Sequence, residues 1–279
     1  MYEAIRYEVA APVATITLDR PEAMNAWTGN MDREIRDAIR RAEADTSVVG
    51  IVITGAGRAF CAGADMNLLS DLSSGQGSGS DGEPLVDTPN DGAADGPVDF
   101  AGRFSWLMTT TKPIIAAING ATAGMAYPFA LCCDLRIGTP QSLFVTAFAQ
   151  RGLIAEWGLS WLLPRLVGPA VAMDLLLSSR RVNGEEALRL GLLNEMVAPE
   201  ELLPRCRAYI EHLATNCSPA SMAIMKQQVN RSFHAGIAAA EADAERLMAE
   251  SFTRPDFAEG VQSFLQRRPP EFPRLPLGN

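Results

Sequence analysis

An α/β core with a helical C-terminal part is the fold class this sequence predicts, and three observations predict it. Apolar strand-like runs and amphipathic helical runs alternate over the first half of the chain. From about residue 157 onward the pattern is mainly helical. Alternation followed by helices points to a layered α/β unit with a helical appendage. The third observation is size. The 279 residues, 47% hydrophobic and 20% charged, can bury a large core without disulfides. The boundary is placed near residue 200, with a core over 1–199 and a helical region over 200–279.

The opening alternates. Ile5, Tyr7 and Val9 share one face, and after Ala11–Pro12 the run 13–18 repeats the period of two, so 5–18 reads as a hairpin. Thr28 is then placed as an N-cap, because Met31, Ile35, Ala38, Ile39 and Ala42 follow at helical spacing. Residues 48–53 (VVGIVI) form a buried strand that ends at Thr54–Gly55. A short helix is expected around Phe104 to Leu107. Residues 113–118 (PIIAAI) form a second buried strand, ending at Asn119–Gly120. Later helices are expected over 157–167, 169–178, 184–191, 199–215, 219–232, 234–253 and 255–268.

The 21 uncharged residues from Pro113 to Cys133 match a membrane span in length. Their alanines, glycines and prolines read instead as a buried strand, a turn and a buried helix. No membrane association is expected. The start, MYEAIRYEVA, lacks the apolar run of a signal peptide.

The net charge of −9 is local. Residues 70–99 hold seven acidic side chains and no Lys or Arg, which leaves −2 for the rest. Gly, Ser, Asp and Pro fill 20 of these 30 positions, too little apolar surface to offset ordering. The segment reads as a long surface loop, either a solvated insertion or a lid. With no long basic run elsewhere, nucleic acid is excluded as a partner. The five cysteines are odd in number and form no CxxC, and only two His are present. A disulfide framework and a zinc site are not expected, and a reducing cytoplasm is.

One feature occurs twice. An apolar strand ends in Thr54–Gly55 and Ala62–Gly63 opens the next helix; another ends in Asn119–Gly120 and Ala123–Gly124 opens the next. Glycine lets backbone approach a ligand closely, and a helix start offers free N–H donors. Two such corners side by side could aim two N–H groups at one oxygen, the geometry of an oxyanion hole. Each corner alone is also ordinary turn chemistry. No dinucleotide, phosphate-loop or serine-hydrolase motif completes itself here.

At these residues a resemblance appears. The run 51–65 (IVITGAGRAFCAGAD) closely resembles the signature of the enoyl-CoA hydratase/isomerase (crotonase) family. So do 15–26 (TITLDRPEAMNA), 112–134 (KPIIAAINGATAGMAYPFALCCD), 152–168 (GLIAEWGLSWLLPRLVG) and 256–272 (DFAEGVQSFLQRRPPEF). The match spans nearly the whole chain except 70–99. It implies a crotonase-type spiral of ββα units, C-terminal helices that mediate trimerisation, and a homotrimer or hexamer. It implies an acyl-CoA or enoyl-CoA substrate, with coenzyme A as part of the substrate and no separate cofactor or metal. The thioester oxygen would be held by the backbone N–H groups of Ala62 and Met125. Ala26, Gly63, Ala64, Asp65 and Met66 would line the substrate on one side. Gly124 and Trp157 would do so on the other, and Phe264 and Arg267 would reach a neighbour's CoA.

Two departures matter. Met125–Ala126 stands where the family has glycines, although a backbone donor survives that change. The positions that hold the two glutamates of a typical hydratase carry Pro128 and Phe148, which cannot transfer a proton. Glu156, flanked by Ile154, Ala155 and Trp157, is the carboxylate left in a telling place. In an apolar wall its pKa would rise toward neutrality, which suits proton transfer at carbon. It could also be a surface residue at a helix start. Asp65 and Asp134 read as structural, and His212 and His234 as surface or interface residues.

The reading is therefore an enoyl-CoA isomerase that uses Glu156. Hydratase, hydrolase or dehalogenase chemistry through Glu156, or non-catalytic acyl-CoA binding, are the alternatives. An apparent excess of apolar residues on the last helices, Ile210, Leu213, Met222, Met225, Val229, Met248 and Phe252 among them, points to a subunit interface.

Overall fold

The computed structural model describes residues 1–65, 70 and 100–275. Met66 and positions 71–99 of the acidic segment lie outside them, as does the helix expected after the first corner. β1 (Ile5–Ala10) and β2 (Val13–Leu18) pair antiparallel as the expected hairpin. The chain then visits two sheets in turn. β3 (Gly50–Gly55), β5 (Ile114–Ile118) and β7 (Leu135–Gly138) join the hairpin in parallel. β4 (Ala59–Cys61), β6 (Ala121–Ala123) and β8 (Leu143–Val145) form a second parallel stack beside it. β9 (Val182–Asn183) closes the second sheet and β10 (Glu195–Met196) the first. The orders are β1-β2-β3-β5-β7-β10 and β4-β6-β8-β9. Each strand pair is one turn of a spiral.

The central strands β3 and β5 of the large sheet are buried on both faces, which is why they read as unbroken apolar runs. Ile51, Ile53, Ile114, Ala116 and Ile118 point to the main core. There they meet α1 (Gly29–Ala44), whose Met31, Ile35, Ala38, Ile39 and Ala42 are buried. The Thr28 hydroxyl accepts the Met31 N–H at 3.1 Å, so the expected N-cap is in place. Val52, Ile115, Ala117 and Ile137 point the other way, onto Leu202, Cys206 and Ile210 of a C-terminal helix. Each fully buried Val, Leu, Ile or Met among them contributes about 1.5–3 kcal/mol on burial.

The run 113–133 is a strand, a short β6 and the buried helix α2 (Ala126–Leu131). Pro128 fits because it sits in the first turn, where its missing N–H costs no helical hydrogen bond. Among the described residues no helix is long and apolar enough to cross a membrane. The later helices are α3 (Leu159–Val167), α4 (Pro169–Ser178), α5 (Gly184–Leu190), α6 (Leu202–Asn216), α7 (Pro219–Ser232), α8 (Ile237–Ser251) and α9 (Pro255–Gln266). They fall within a few residues of expectation.

The apolar excess on these helices needs one correction. Ile210 is fully buried in α6, and Leu213 and Met222 pack against the same cluster. Those three serve the chain's own core. Met225, Val229, Met248 and Phe252 stay exposed. No residue of α8 is buried.

Candidate active site

Two asparagines, the buried Asn25 and the half-buried Asn119, hold the first corner. The Asn119 side chain donates to the Gly55, Gly57 and Ala59 carbonyls and accepts the Gly55 N–H. Asn25 donates to the Ala56 and Ala59 carbonyls. Backbone groups of a tight turn that would otherwise lack partners are thereby satisfied by side chains. Segment 24–27 runs beside the first corner. The Trp27 N–H donates to the Gly63 carbonyl at 2.7 Å and the Asp65 N–H to the Trp27 carbonyl at 3.1 Å. Arg20 clamps the arrangement, donating to the Ala26 carbonyl at 2.6 Å and pairing with Asp65 at 3.0 Å.

The corners meet at their glycines. Both have positive φ, +100° at Gly63 and +51° at Gly124. A Cβ on Gly63 would stand 2.9 Å from the Ala123 carbonyl oxygen, and one on Gly124 would stand 3.7 Å from the Gly63 Cα. Close approach of the two backbones thus requires glycine at 63.

The backbone donors are not quite those expected. The Ala62 N–H is already donated to the Met24 carbonyl at 3.0 Å, as the bracing by segment 24–27 demands. It is not available to a ligand. The N–H groups of Ala64 and Met125 have no acceptor among the described residues. The Gly63 carbonyl and the Asp65 N–H both face Trp27, so the Ala64 N–H between them points away from segment 24–27.

Ala26, Ala62, Gly63, Ala64, Gly124 and Met125 all line a cavity of about 1350 Å³. Glu156 and Trp157 line it too. Glu156 is half-buried, and no hydrogen bond or cation reaches its carboxylate among the described residues. Burial alone pushes its pKa above the ordinary glutamate value. It precedes α3, yet its side chain caps nothing there. The following Trp157 has φ +48° and Gly158 φ +76°. For a bulky residue this left-handed backbone costs on the order of 1–3 kcal/mol.

Other candidates fall elsewhere. Asp65 turns to Arg20 and holds the corner. Asp134 accepts the Ile114 N–H at 2.7 Å and pairs with Lys226 at 2.8 Å, a structural duty. Cys61 is fully buried, and desolvation pushes its thiol up to about 12, so it is no nucleophile at neutral pH. Phe264 and Arg267 are exposed and do not line the cavity of their own chain. His234, expected on a surface or interface, is exposed but lines the cavity, stacked on Trp161 at 5.3 Å. Arg103 and Phe100 line it as well. No motif singled these three out, because they flank the acidic segment or begin a helix connection far along the chain.

The chain matches the family model described as enoyl-CoA hydratase/isomerase over residues 8–274. A "probable enoyl-CoA hydratase" of Rhodobacter capsulatus is 37% identical over 97% of this chain and 98% of its own length. The "1,2-epoxyphenylacetyl-CoA isomerase" of Escherichia coli is 32% identical, covering 98% of this chain and 99% of its own. A crystal structure of a "probable enoyl-CoA hydratase/isomerase" from Mycobacterium abscessus superposes with a TM-score of 0.81 at 28% identity, over 96% of this chain and 98% of that one.

Proposed function

The chain belongs to the enoyl-CoA hydratase/isomerase family, and on that premise we propose that it shifts the double bond of an enoyl-CoA thioester, with Glu156 as the proton carrier. One observation carries this reading. Among the described residues that line the cavity, Glu156 is the sole carboxylate, while Pro128 and Phe148 stand where the family resemblance puts a hydratase's two glutamates. The steps follow from the donors at hand. The N–H groups of Ala64 and Met125 hold the thioester oxygen. Glu156 takes a proton from the carbon next to the double bond, and the charge spreads to that oxygen as a dienolate. The same carboxylic acid returns the proton two carbons away, so the substrate is isomerised and the enzyme restored. One donor of this kind is worth about 3–4 kcal/mol of transition-state stabilisation. A single carboxylate suffices because the proton leaves and returns on one face.

Water addition is the second reading, favoured by the names of relatives such as the Rhodobacter protein and the "Crotonyl-CoA hydratase" of Syntrophomonas wolfei, 33% identical. Incubating the enzyme with 3-enoyl-CoA and 2-enoyl-CoA in D₂O separates the two. Interconversion with deuterium on carbon supports isomerisation. Accumulation of a 3-hydroxyacyl-CoA from the 2-enoyl thioester would establish the hydratase instead.

Assembly into a trimer or hexamer belongs to the same reading. α8 is 15 residues long with none buried, and isolated helices of that length are marginal in water. Phe264 and Arg267, exposed one turn apart at the end of α9, would then serve a neighbouring subunit's CoA. Sedimentation at low micromolar concentration tests this, and an active 30 kDa monomer would refute it.

A further inference from the structure

The strained backbone at Trp157 has a visible result. Its ring lies in the cavity wall, tilted against Phe104 at 6.0 Å and Phe148 at 6.2 Å. Phe104 is itself fixed edge-on to Trp27 at 5.2 Å and to Phe129 at 5.5 Å, so this platform is rigid. A second set of rings lines the same cavity. Trp161 stacks on His234 at an interplanar angle of 13°, and His234 meets Phe100 edge-on at 5.7 Å. Glu156 is the residue beside the first platform.

A straight acyl chain has no use for such walls, since branched aliphatic side chains would cover it equally well. A flat ring gains from them, because offset and edge-to-face partners orient it as well as bury it. The cavity is also larger than the ~300–1,000 Å³ of common small-molecule sites, which leaves room for a ring beyond the thioester.

We propose that the acyl group this enzyme takes carries a planar or near-planar ring, an aryl or cycloalkenyl acyl thioester, and that Trp157 sets that preference. The inference rests on the reading of the cavity as a CoA-thioester site. Calorimetric titration with two non-isomerisable thioesters, phenylacetyl-CoA and hexanoyl-CoA, tests it. The wild-type protein binds the phenylacetyl thioester about tenfold more tightly, the gain of about two favourable ring pairs. Trp157→Leu loses that preference to within about twofold while hexanoyl-CoA binding holds, and Trp157→Phe keeps most of it. Equal affinity for both thioesters in the wild-type protein, or an equal loss of both in Trp157→Leu, overturns the ring preference alone. Binding of neither thioester overturns the CoA-thioester reading and the ring preference with it.

Discussion

On one side of the cavity chemistry is offered by backbone alone, through the N–H groups of Ala64 and Met125 at two touching glycine corners. On the other side it is offered by side chains, Glu156 and the rings of Trp157, Phe104 and Phe148. The two walls answer to different constraints. The backbone wall needs particular conformations, so its sequence is fixed where a Cβ would collide and free where only an N–H is used. The side-chain wall needs particular groups, and changing one of them changes the reaction. On the proposed reading, a chain can keep the corners that would hold a thioester while Pro128 and Phe148 stand where the family resemblance puts a hydratase's two glutamates.

Removing the base tests the side-chain wall and has the largest expected effect. Glu156→Gln keeps the shape and loses the proton acceptor, so turnover falls about 10²–10⁴-fold. Binding of a saturated acyl-CoA stays within about twofold, because the cavity is unchanged. Turnover at the wild-type rate would mean Glu156 is a bystander at the start of α3.

The backbone wall breaks at Gly63. In Gly63→Ala the new Cβ stands 2.9 Å from the Ala123 carbonyl oxygen at φ +100°, so the corners must part. Turnover should fall by about 10²–10³, the cost of one misplaced oxyanion donor. Gly124→Ala is the matched control. Its Cβ has a nearest contact of 3.7 Å, so only the left-handed backbone objects and the loss stays under about tenfold. Equal effects at both positions would sink the argument from close approach.

The same asymmetry explains what could be read without coordinates. Both faces of the large sheet were legible, because a strand buried on two sides must be apolar throughout, as 48–53 and 113–118 are. Thr28 and the period of α1 were legible because they are local. Glu156 stood out as a charge in an apolar run. The donor shift from Ala62 to Ala64 was not legible, since it depends on segment 24–27, 35 or more residues earlier, taking up the Ala62 N–H. Nor were Phe100 and His234, which meet edge-on at 5.7 Å across more than a hundred residues of chain. Ile210 was misassigned to an interface for the same reason. Helical spacing shows that a face is apolar, not which surface covers it.

The pH profile sharpens the contrast. Only deprotonated Glu156 can accept a proton, and burial raises its pKa. Activity therefore falls as pH drops through that raised value, and the acid limb of kcat/KM lies above the ordinary ~4.3 of a glutamate. The backbone donors do not titrate and add no limb of their own. A limb at the ordinary value would put the carboxylate in water.

The smallest effect is expected at Met125, where the backbone wall carries an unusual side chain. Met125 is nearly fully buried, and its N–H is the group assigned to the thioester oxygen. Met125→Leu keeps the N–H and nearly the volume. Such swaps cost under about 1.5 kcal/mol of stability. Turnover should stay within about threefold on any thioester that the wild-type enzyme accepts, because the oxygen meets the same donor at the same corner. The measurement is kcat and KM together with a melting curve, so that a packing loss is not mistaken for a chemical one. If turnover falls 100-fold in a variant that melts normally, the Met side chain itself takes part. The wall would then be no longer indifferent to its side chains, and the division between the two sides of the cavity would fail at the residue where it is most exposed to test.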